Sequence, residues 1–240
     1  MEKEVRKIYN RIAERYHKLS ANHFFNAYLE VPATTSLLKN VKGKKVLDLG
    51  CGTGRHTIIL KNKGAKVWGL DLSPKMLEIA KTEIKGVDFK IGTVYKLPYK
   101  SNFFDIIVSG LAVEYFKDID KAFKEIRRVL KKDGIFVFST KHPLLEISKH
   151  IKGRPYTFRK FGNYFKEGRT YAHWPTFMTN IPYYHRTLQS WIRAIVRNKF
   201  VIENFVDAKP LKEGKKVNPN AYKSYSQIPY FIVFKVRKVG

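Results

Sequence analysis

Cysteine is almost missing from this 240-residue chain. Cys51 stands alone, so no internal disulfide can form and no Cys/His cluster marks a metal site. Long apolar runs are missing as well. Nothing approaches the roughly 18 uncharged residues that a membrane-crossing helix needs. The opening MEKEVRKIYNRIAERYHKL is charged throughout and lacks the apolar stretch of a signal peptide. These absences predict a cytoplasmic protein without a membrane partner. Acidic residues are scarce too, 20 against 47 Lys and Arg, for a formal charge of +27. The excess is heaviest in residues 141–240, with 20 Lys and Arg against 5 Asp and Glu. It has two readings: a Lys-rich composition of the thermophilic kind, or a positive field that attracts a polyanion such as RNA.

What is present points to a core. Hydrophobic residues make up 44% of the chain, which excludes global disorder and, at this length, predicts one domain over 1–240. Strand signals at 45–49, 66–71, 87–91, 103–110 and 134–141 alternate with helix signals at 54–63, 74–85 and 118–131. Pro74 after Ser73 is a natural helix start, and Asp133-Gly134 reads as a helix stop. Such alternation predicts an α/β fold, a mostly parallel sheet with helices on both faces. Ahead of it, 2–19 suits an amphipathic helix, and Pro32 opens a second short one over ATTSLLKN. Residues 142–186, rich in aromatic and basic side chains, show no clear period and read as an insertion over the active-site edge. A helix at 187–199 and strands near 200–207 and 228–237 complete the sheet.

The first strand runs into KKVLDLGCGTGRH. Gly50, Gly52 and Gly54 alternate, letting the backbone turn tightly and approach a ligand. A dinucleotide fingerprint would need its third glycine at position 55, where Arg55 stands, and the P-loop pattern is absent here. Asp48 would repel a pyrophosphate but suits a cationic ligand. Asp71 ends the next strand about twenty residues beyond Gly50, where a carboxylate can accept bonds from ribose hydroxyls. The turn is therefore shaped for an adenosine with a cationic, phosphate-free tail, which describes S-adenosylmethionine.

VLDLGCGTGRH, GLDLSPKML, IGTVYKLPYKSNFFDIIVS and AFKEIRRVLKKDGIFVFS resemble, in order, the motifs of class I S-adenosylmethionine-dependent methyltransferases of the type 11 (UbiE-like) group. The resemblance covers roughly 44–141. It implies a Rossmann-like seven-stranded sheet whose last strand is antiparallel. It also implies a cofactor site of Asp48, Gly50, Cys51, Gly52 and Gly54 around the methionine end. Asp71 would take the ribose, with Leu72 and Met76 beside the adenine and Ser109, Gly110 and Leu111 near the reactive methyl. Thr93 departs from the pattern: it stands where the family has an aspartate at the adenine amine, so backbone at Thr93 and Val94 would serve there. The N-terminal segment 1–40, with Tyr9 and Tyr16, resembles a helical flap over the cofactor; simple packing is the other reading. Met76 fits core as well as cofactor wall, and Cys51 reads as a turn residue without thiolate activation.

The acceptor is open. SGLAVEYF follows the fourth strand in place of the amino-directed (D/N)PP(Y/F/W) signature. No Pro-Cys pair supports covalent cytosine chemistry, and Glu114 lacks the paired glutamate of arginine-directed enzymes. His142, after the fifth strand, and His185, in YYHRTL, are candidate bases, with Arg186 to hold an anionic acceptor. The structural reading is that His142 caps a strand end and that Tyr183 and Tyr184, just before His185, are core. A small-molecule acceptor under the 142–186 insertion is the leading expectation. The alternatives are a tRNA or rRNA acceptor on that basic, aromatic surface and a binding module that has lost catalysis.

Overall fold

A computed structural model describes residues 1–151 and 159–240. Residues 152–158 of the expected insertion lie outside the described residues. The sheet strands are β1 (Lys45–Leu49), β2 (Lys66–Asp71), β3 (Asp88–Ile91), β4 (Phe104–Ser109) and β5 (Leu130–Lys141). Two hairpins follow, β6 (Ser148–His150) with β7 (Arg159–Phe161) and β8 (Gly168–Trp174) with β9 (Thr179–His185). The last strands are β10 (Phe200–Asp207) and β11 (Phe231–Lys238). The helices are α1 (Glu2–Ser20), α2 (Val31–Ser36), α3 (Arg55–Asn62), α4 (Pro74–Glu83), α5 (Ile119–Val129), α6 (Pro143–Glu146), α7 (Leu188–Arg197), α8 (Gly214–Val217) and α9 (Pro219–Tyr225).

The seven-stranded sheet has the order β10-β11-β5-β4-β1-β2-β3. β1 pairs in parallel with β2 and β4, β2 with β3, and β4 with β5, whereas β11 runs antiparallel to both β5 and β10. This is the α/β, Rossmann-like sheet with an antiparallel final strand that the motifs implied. Strand order reverses between β1 and β4, and such a reversal opens a crevice at the carboxyl ends of the strands.

Both faces of the sheet are covered. On one, α5 turns Ile119, Ala122, Phe123, Ile126 and Val129 inward, at the spacing of one helix face, onto Phe136 and Phe138 of β5 and Trp191 of α7. On the other, Leu29, Leu60, Val67, Val108, Val137 and Val233 form a second core with Ala221 and Tyr225 of α9. Side-chain caps set the helix starts: Ser73 accepts from Met76 N, Asp118 from Lys121 N and Thr187 from Ser190 N.

Departures from the expected elements have local causes. α5 ends at Val129, short of the expected Asp133-Gly134 stop, because fully buried Leu130 is already extended and pairs with Phe104. Asp133, at φ 59°, instead marks an irregularity near the start of β5. The helix expected to open at Pro32 is preceded by a π-helical turn, Asn26–Glu30, and stops at Ser36. The described part of 142–186 holds the hairpins; β8 alternates exposed and half-buried residues, a period hidden because GRTYAHW mixes polar and aromatic groups on both faces. α8 and α9 were unforeseen. Among the described residues, no helix is long and apolar enough to cross a membrane.

Candidate active site

At the carboxyl ends of β1, β2, β4 and β5 lies a cavity of about 310 Å³. Its floor is the turn after β1. Gly50 N and Cys51 N donate to Leu70 O at 2.7 and 3.1 Å, and Gly54 N donates to Cys51 O at 2.9 Å. Gly50, Gly52 and Gly54 all have positive φ, 74°, 53° and 88°. A Cβ on Gly50 would lie 2.5 Å from Ala112 Cβ, and one on Gly54 2.4 Å from Ile84 Cδ1. A Cβ on Gly52 would meet nothing within 4 Å, so this glycine leaves the cavity side open.

Asp71 ends β2 on the cavity wall, where Oδ2 accepts from Gly52 N and Oδ1 from Ser73 N, both at 2.8 Å. Burial pushes its carboxyl up to about 6, against the pull of those amide donors. Leu72, Met76 and Val94 line the same side. Thr93 is not on the wall, yet its hydroxyl donates to the Glu2 carboxylate of α1, which is. A carboxylate therefore reaches this end from a different element. Asp48 is buried beneath the turn, off the wall, and accepts from Thr57 Oγ1 at 2.6 Å. Burial raises its pKa, and its place is under α3. Cys51 lines the cavity, and burial raises its thiol well above the ordinary value, which leaves it a poor nucleophile.

Gly110, Leu111 and Tyr16 are on the wall; Ser109 and Gly54 are behind it. Ser109 Oγ donates to Leu49 O at 2.8 Å, tying β4 to β1. Leu111 takes a positive φ of 51°, an uncommon conformation for leucine, and its N–H donates to Ser139 Oγ at 2.9 Å.

The candidate bases are elsewhere. None of His142, His185 and Arg186 lines the cavity, which corrects their expected place. His142 caps α6 through Nδ1, which accepts from Leu144 N, while burial lowers its pKa. His185 is buried, with Nδ1 2.7 Å from Glu146 Oε2 and Nε2 2.9 Å from Tyr164 O. Burial pushes Glu146 up to about 7; burial would lower His185, but the Glu146 bond holds it above its ordinary value. Arg186 donates to Phe116 O and Lys117 O and lies 5.2 Å from the rings of Tyr184 and Trp191. Both bonds come from Nη2; Nη1 has no hydrogen-bond partner among the described residues, but the side chain is off the cavity wall.

Beside Asp71, Tyr16 and Tyr9 of the expected flap, the cavity is faced by polar groups to which the sequence reading gave no role there. Glu30, only 3% exposed, accepts from Thr34 Oγ1 at 2.7 Å and Ser139 Oγ at 2.6 Å, with His56 Nε2 3.5 Å away. Glu114, in the turn after β4, stands 3.1 Å from Lys141 Nζ at the end of β5. Tyr9 and Tyr115 share a hydrogen bond of 2.9 Å, and Trp174 packs edge-on against Tyr9. The one advance signal was positional: Glu114 follows the fourth strand and Lys141 ends the fifth.

α1 and the β8–β9 hairpin cover the cavity. Ser73 Oγ donates to Asn10 Oδ1 at 2.6 Å, and Arg11 donates to Thr179 Oγ1 at 2.7 Å. Tyr16 and Phe177, 5.6 Å between centroids, close the rim.

Comparison with known proteins agrees with this arrangement. A family model described as a methyltransferase domain matches residues 47–138. An uncharacterized protein of Haemophilus influenzae is 33% identical, with 94% of each chain covered. A demethylmenaquinone methyltransferase of Thermotoga maritima is 33% identical over 65% of this chain and 69% of its own. The crystal structure of an S-adenosylmethionine-dependent methyltransferase from Mesorhizobium loti superposes with a TM-score of 0.75, at 29% identity, over 87% of this chain and 97% of that one. The chain belongs to the class I S-adenosylmethionine-dependent methyltransferases of the type 11 group, and S-adenosylmethionine is its cofactor.

Proposed function

We propose that the chain methylates a small molecule inside the cavity, acting as one methyltransferase domain in the cytoplasm. Residues 1–40 serve as the flap and 142–186 as the substrate-side insertion. Asp71 takes the ribose; Leu72, Met76, Val94 and the Glu2–Thr93 pair take the adenine. The Gly50–Gly54 turn, Cys51, Tyr16, Gly110 and Leu111 surround the amino-acid end, with Asp48 and Ser109 bracing the turn from behind. When bound, S-adenosylmethionine supplies an electrophilic methyl group on a sulfonium. The protein's own part is to position the acceptor, exclude water and receive a proton.

One observation carries the small-molecule reading: the β4–β5 side of the cavity lies under Tyr9, Tyr115 and Trp174, rings that hold α1 against the rest of the site. A roofed cavity of about 310 Å³ is of small-ligand size. The Thermotoga maritima relative, named for a quinone precursor, fits the same reading. An RNA acceptor is the second reading, favoured by aromatic side chains exposed on the insertion, with Phe165 82% and Tyr171 54% accessible beside Lys166 and Arg169. Calorimetry with S-adenosylmethionine, S-adenosylhomocysteine and NAD tests the cofactor assignment; only the first two are expected to bind. Labelled methyl transfer to a metabolite extract and to total tRNA then separates the acceptors. Label in tRNA alone overturns the small-molecule reading.

A further inference from the structure

Two strand positions separate Asp71 at the end of β2 from Gly110 after β4, and one more leads to Lys141 at the end of β5. At strand spacings of about 4.8 Å, Lys141 lies roughly 14 Å across the sheet edge from Asp71. An adenosine at Asp71 and an amino-acid end on the Gly50–Gly54 turn leave the β4–β5 end to the acceptor. A buried ion pair stands there, Glu114 Oε1 to Lys141 Nζ at 3.1 Å, both on the cavity wall. Glu114 is only 1% exposed. Among the described residues, Lys141 Nζ has no well-aligned hydrogen bond; its other neighbour is the Tyr183 ring, 4.2 Å from the centroid. Burial would lower the ammonium, but Glu114, then Glu146, keep it above its ordinary value. A buried ion pair is weak as a source of stability, and this one faces the space where an acceptor must sit.

Resting on the small-molecule reading above, we propose that Lys141 and Glu114 form the acceptor-ionising pair, and that the acceptor is a small molecule with an acidic hydroxyl, a phenol or an enol. The hydroxyl proton passes to the Glu114 carboxylate, and the oxyanion takes its place beside Lys141. The electron pair on that oxygen, or on a carbon conjugated with it, forms the bond to the methyl carbon. The pair of the broken carbon–sulfur bond stays on sulfur, and the Glu114 proton leaves to solvent with the product. In attack through a phenol's ring carbon, the ring proton is lost to solvent instead as the ring becomes aromatic again, and the product oxyanion takes back the Glu114 proton. Charge balance selects the hydroxyl over a carboxylate. Passing a proton from hydroxyl to Glu114 leaves the net charge of the cavity unchanged. A carboxylate brings a further negative charge beside Glu114, with no proton to surrender.

Removing Lys141 alone would strand the Glu114 charge, so the test uses Lys141→Met with Glu114→Gln together, beside each single variant. The protein, saturated with S-adenosylhomocysteine, is titrated with a panel of nitrophenols below their own pKa, with benzoate as the carboxylate control. In wild type the phenolate absorbance is expected on binding. The double variant should bind roughly 10- to 100-fold more weakly and without that band, while S-adenosylhomocysteine affinity is unchanged. No phenolate band in wild type, equal affinity in the double variant, or tighter binding of benzoate overturns the proposal. Methylation of amines or thiols in preference to acidic hydroxyls overturns it while leaving the small-molecule reading standing. Methylation confined to RNA overturns both.

Discussion

Asp71 is held at a cost, and Asp71→Asn should separate that cost from its use. In the folded protein its carboxyl is pushed up to about 6 from 3.8, with burial as the largest cause. The rise corresponds to a penalty of roughly 3 kcal/mol on the ionised form at neutral pH. The sign follows from linkage. With the folded value above the unfolded one, the group's contribution is most favourable below 3.8, declines as pH rises toward about 6, and stays unfavourable beyond it. Asparagine removes that penalty but retains a single acceptor oxygen, so one of the two amide bonds from Gly52 and Ser73 is lost, at about 1.5–3 kcal/mol for a bond to a charged group. The unliganded variant should therefore melt near wild type or up to about 5 °C above it, since 1 kcal/mol is worth about 2–4 °C in a chain of this size. Cofactor binding should move the other way, because ribose hydroxyls lose a charged acceptor: S-adenosylhomocysteine affinity should fall on the order of tenfold or more. Wild-type affinity should also fall as pH drops through about 6, and that dependence should flatten in the variant. Scanning fluorimetry and calorimetry over pH measure both. A variant that melts lower and binds as well as wild type would sink the placement of the ribose.

The remaining tests are shorter. His185→Leu strands Glu146, a buried partner at 2.7 Å; it should lower the melting temperature on the order of 10 °C while S-adenosylhomocysteine affinity holds, and affinity lost at unchanged stability would return His185 to the site. Glu2→Ala and Thr93→Val each break the contact that brings a carboxylate to the cavity wall, and calorimetry should show severalfold weaker cofactor binding in both; wild-type affinity in both would leave the adenine without that carboxylate. Gly50→Ala should unfold more readily than Gly52→Ala. Both pay about 1–2 kcal/mol for a left-handed conformation, but only the first drives a Cβ to 2.5 Å from Ala112, and equal melting points would count against the packing described for the turn.

What was legible in the sequence is what one segment can declare by itself. β1 and β2 fall at the expected residues because each is an apolar run ended by glycine or aspartate, and the turn between β1 and α3 needs glycines at fixed spacing. The place of Asp71 on the cavity wall could be read in advance because it ends a strand at the carboxyl edge of the sheet. His185 and Arg186 misled for the opposite reason. They stand at a strand end in an aromatic stretch, but their meaning is set by Glu146, Tyr164 and the Phe116 carbonyl, none of them neighbours in the sequence.

The acceptor side shows why the chemistry of the site was harder to read than its cofactor. Glu30 precedes α2, Glu114 follows β4 and Lys141 ends β5; each alone reads as an ordinary helix or surface residue of a lysine-rich chain. Only the sheet order, which sets β4 beside β5, brings Glu114 to Lys141. The cofactor half grips its ligand on one glycine turn and the strand ends beside it, so its signals are local. The acceptor half must differ with each substrate, so it is assembled from distant segments whose contacts are made by folding. The overall charge of +27 is therefore a poor guide to the acceptor. At the cavity wall the balance is different: Glu2, Glu30, Asp71 and Glu114 face Arg6, Arg55 and Lys141, with His23, His56 and His173 among them. That mixed wall suits a neutral acceptor that ionises in place, and a polyanion would have to leave its phosphates on the exposed insertion outside.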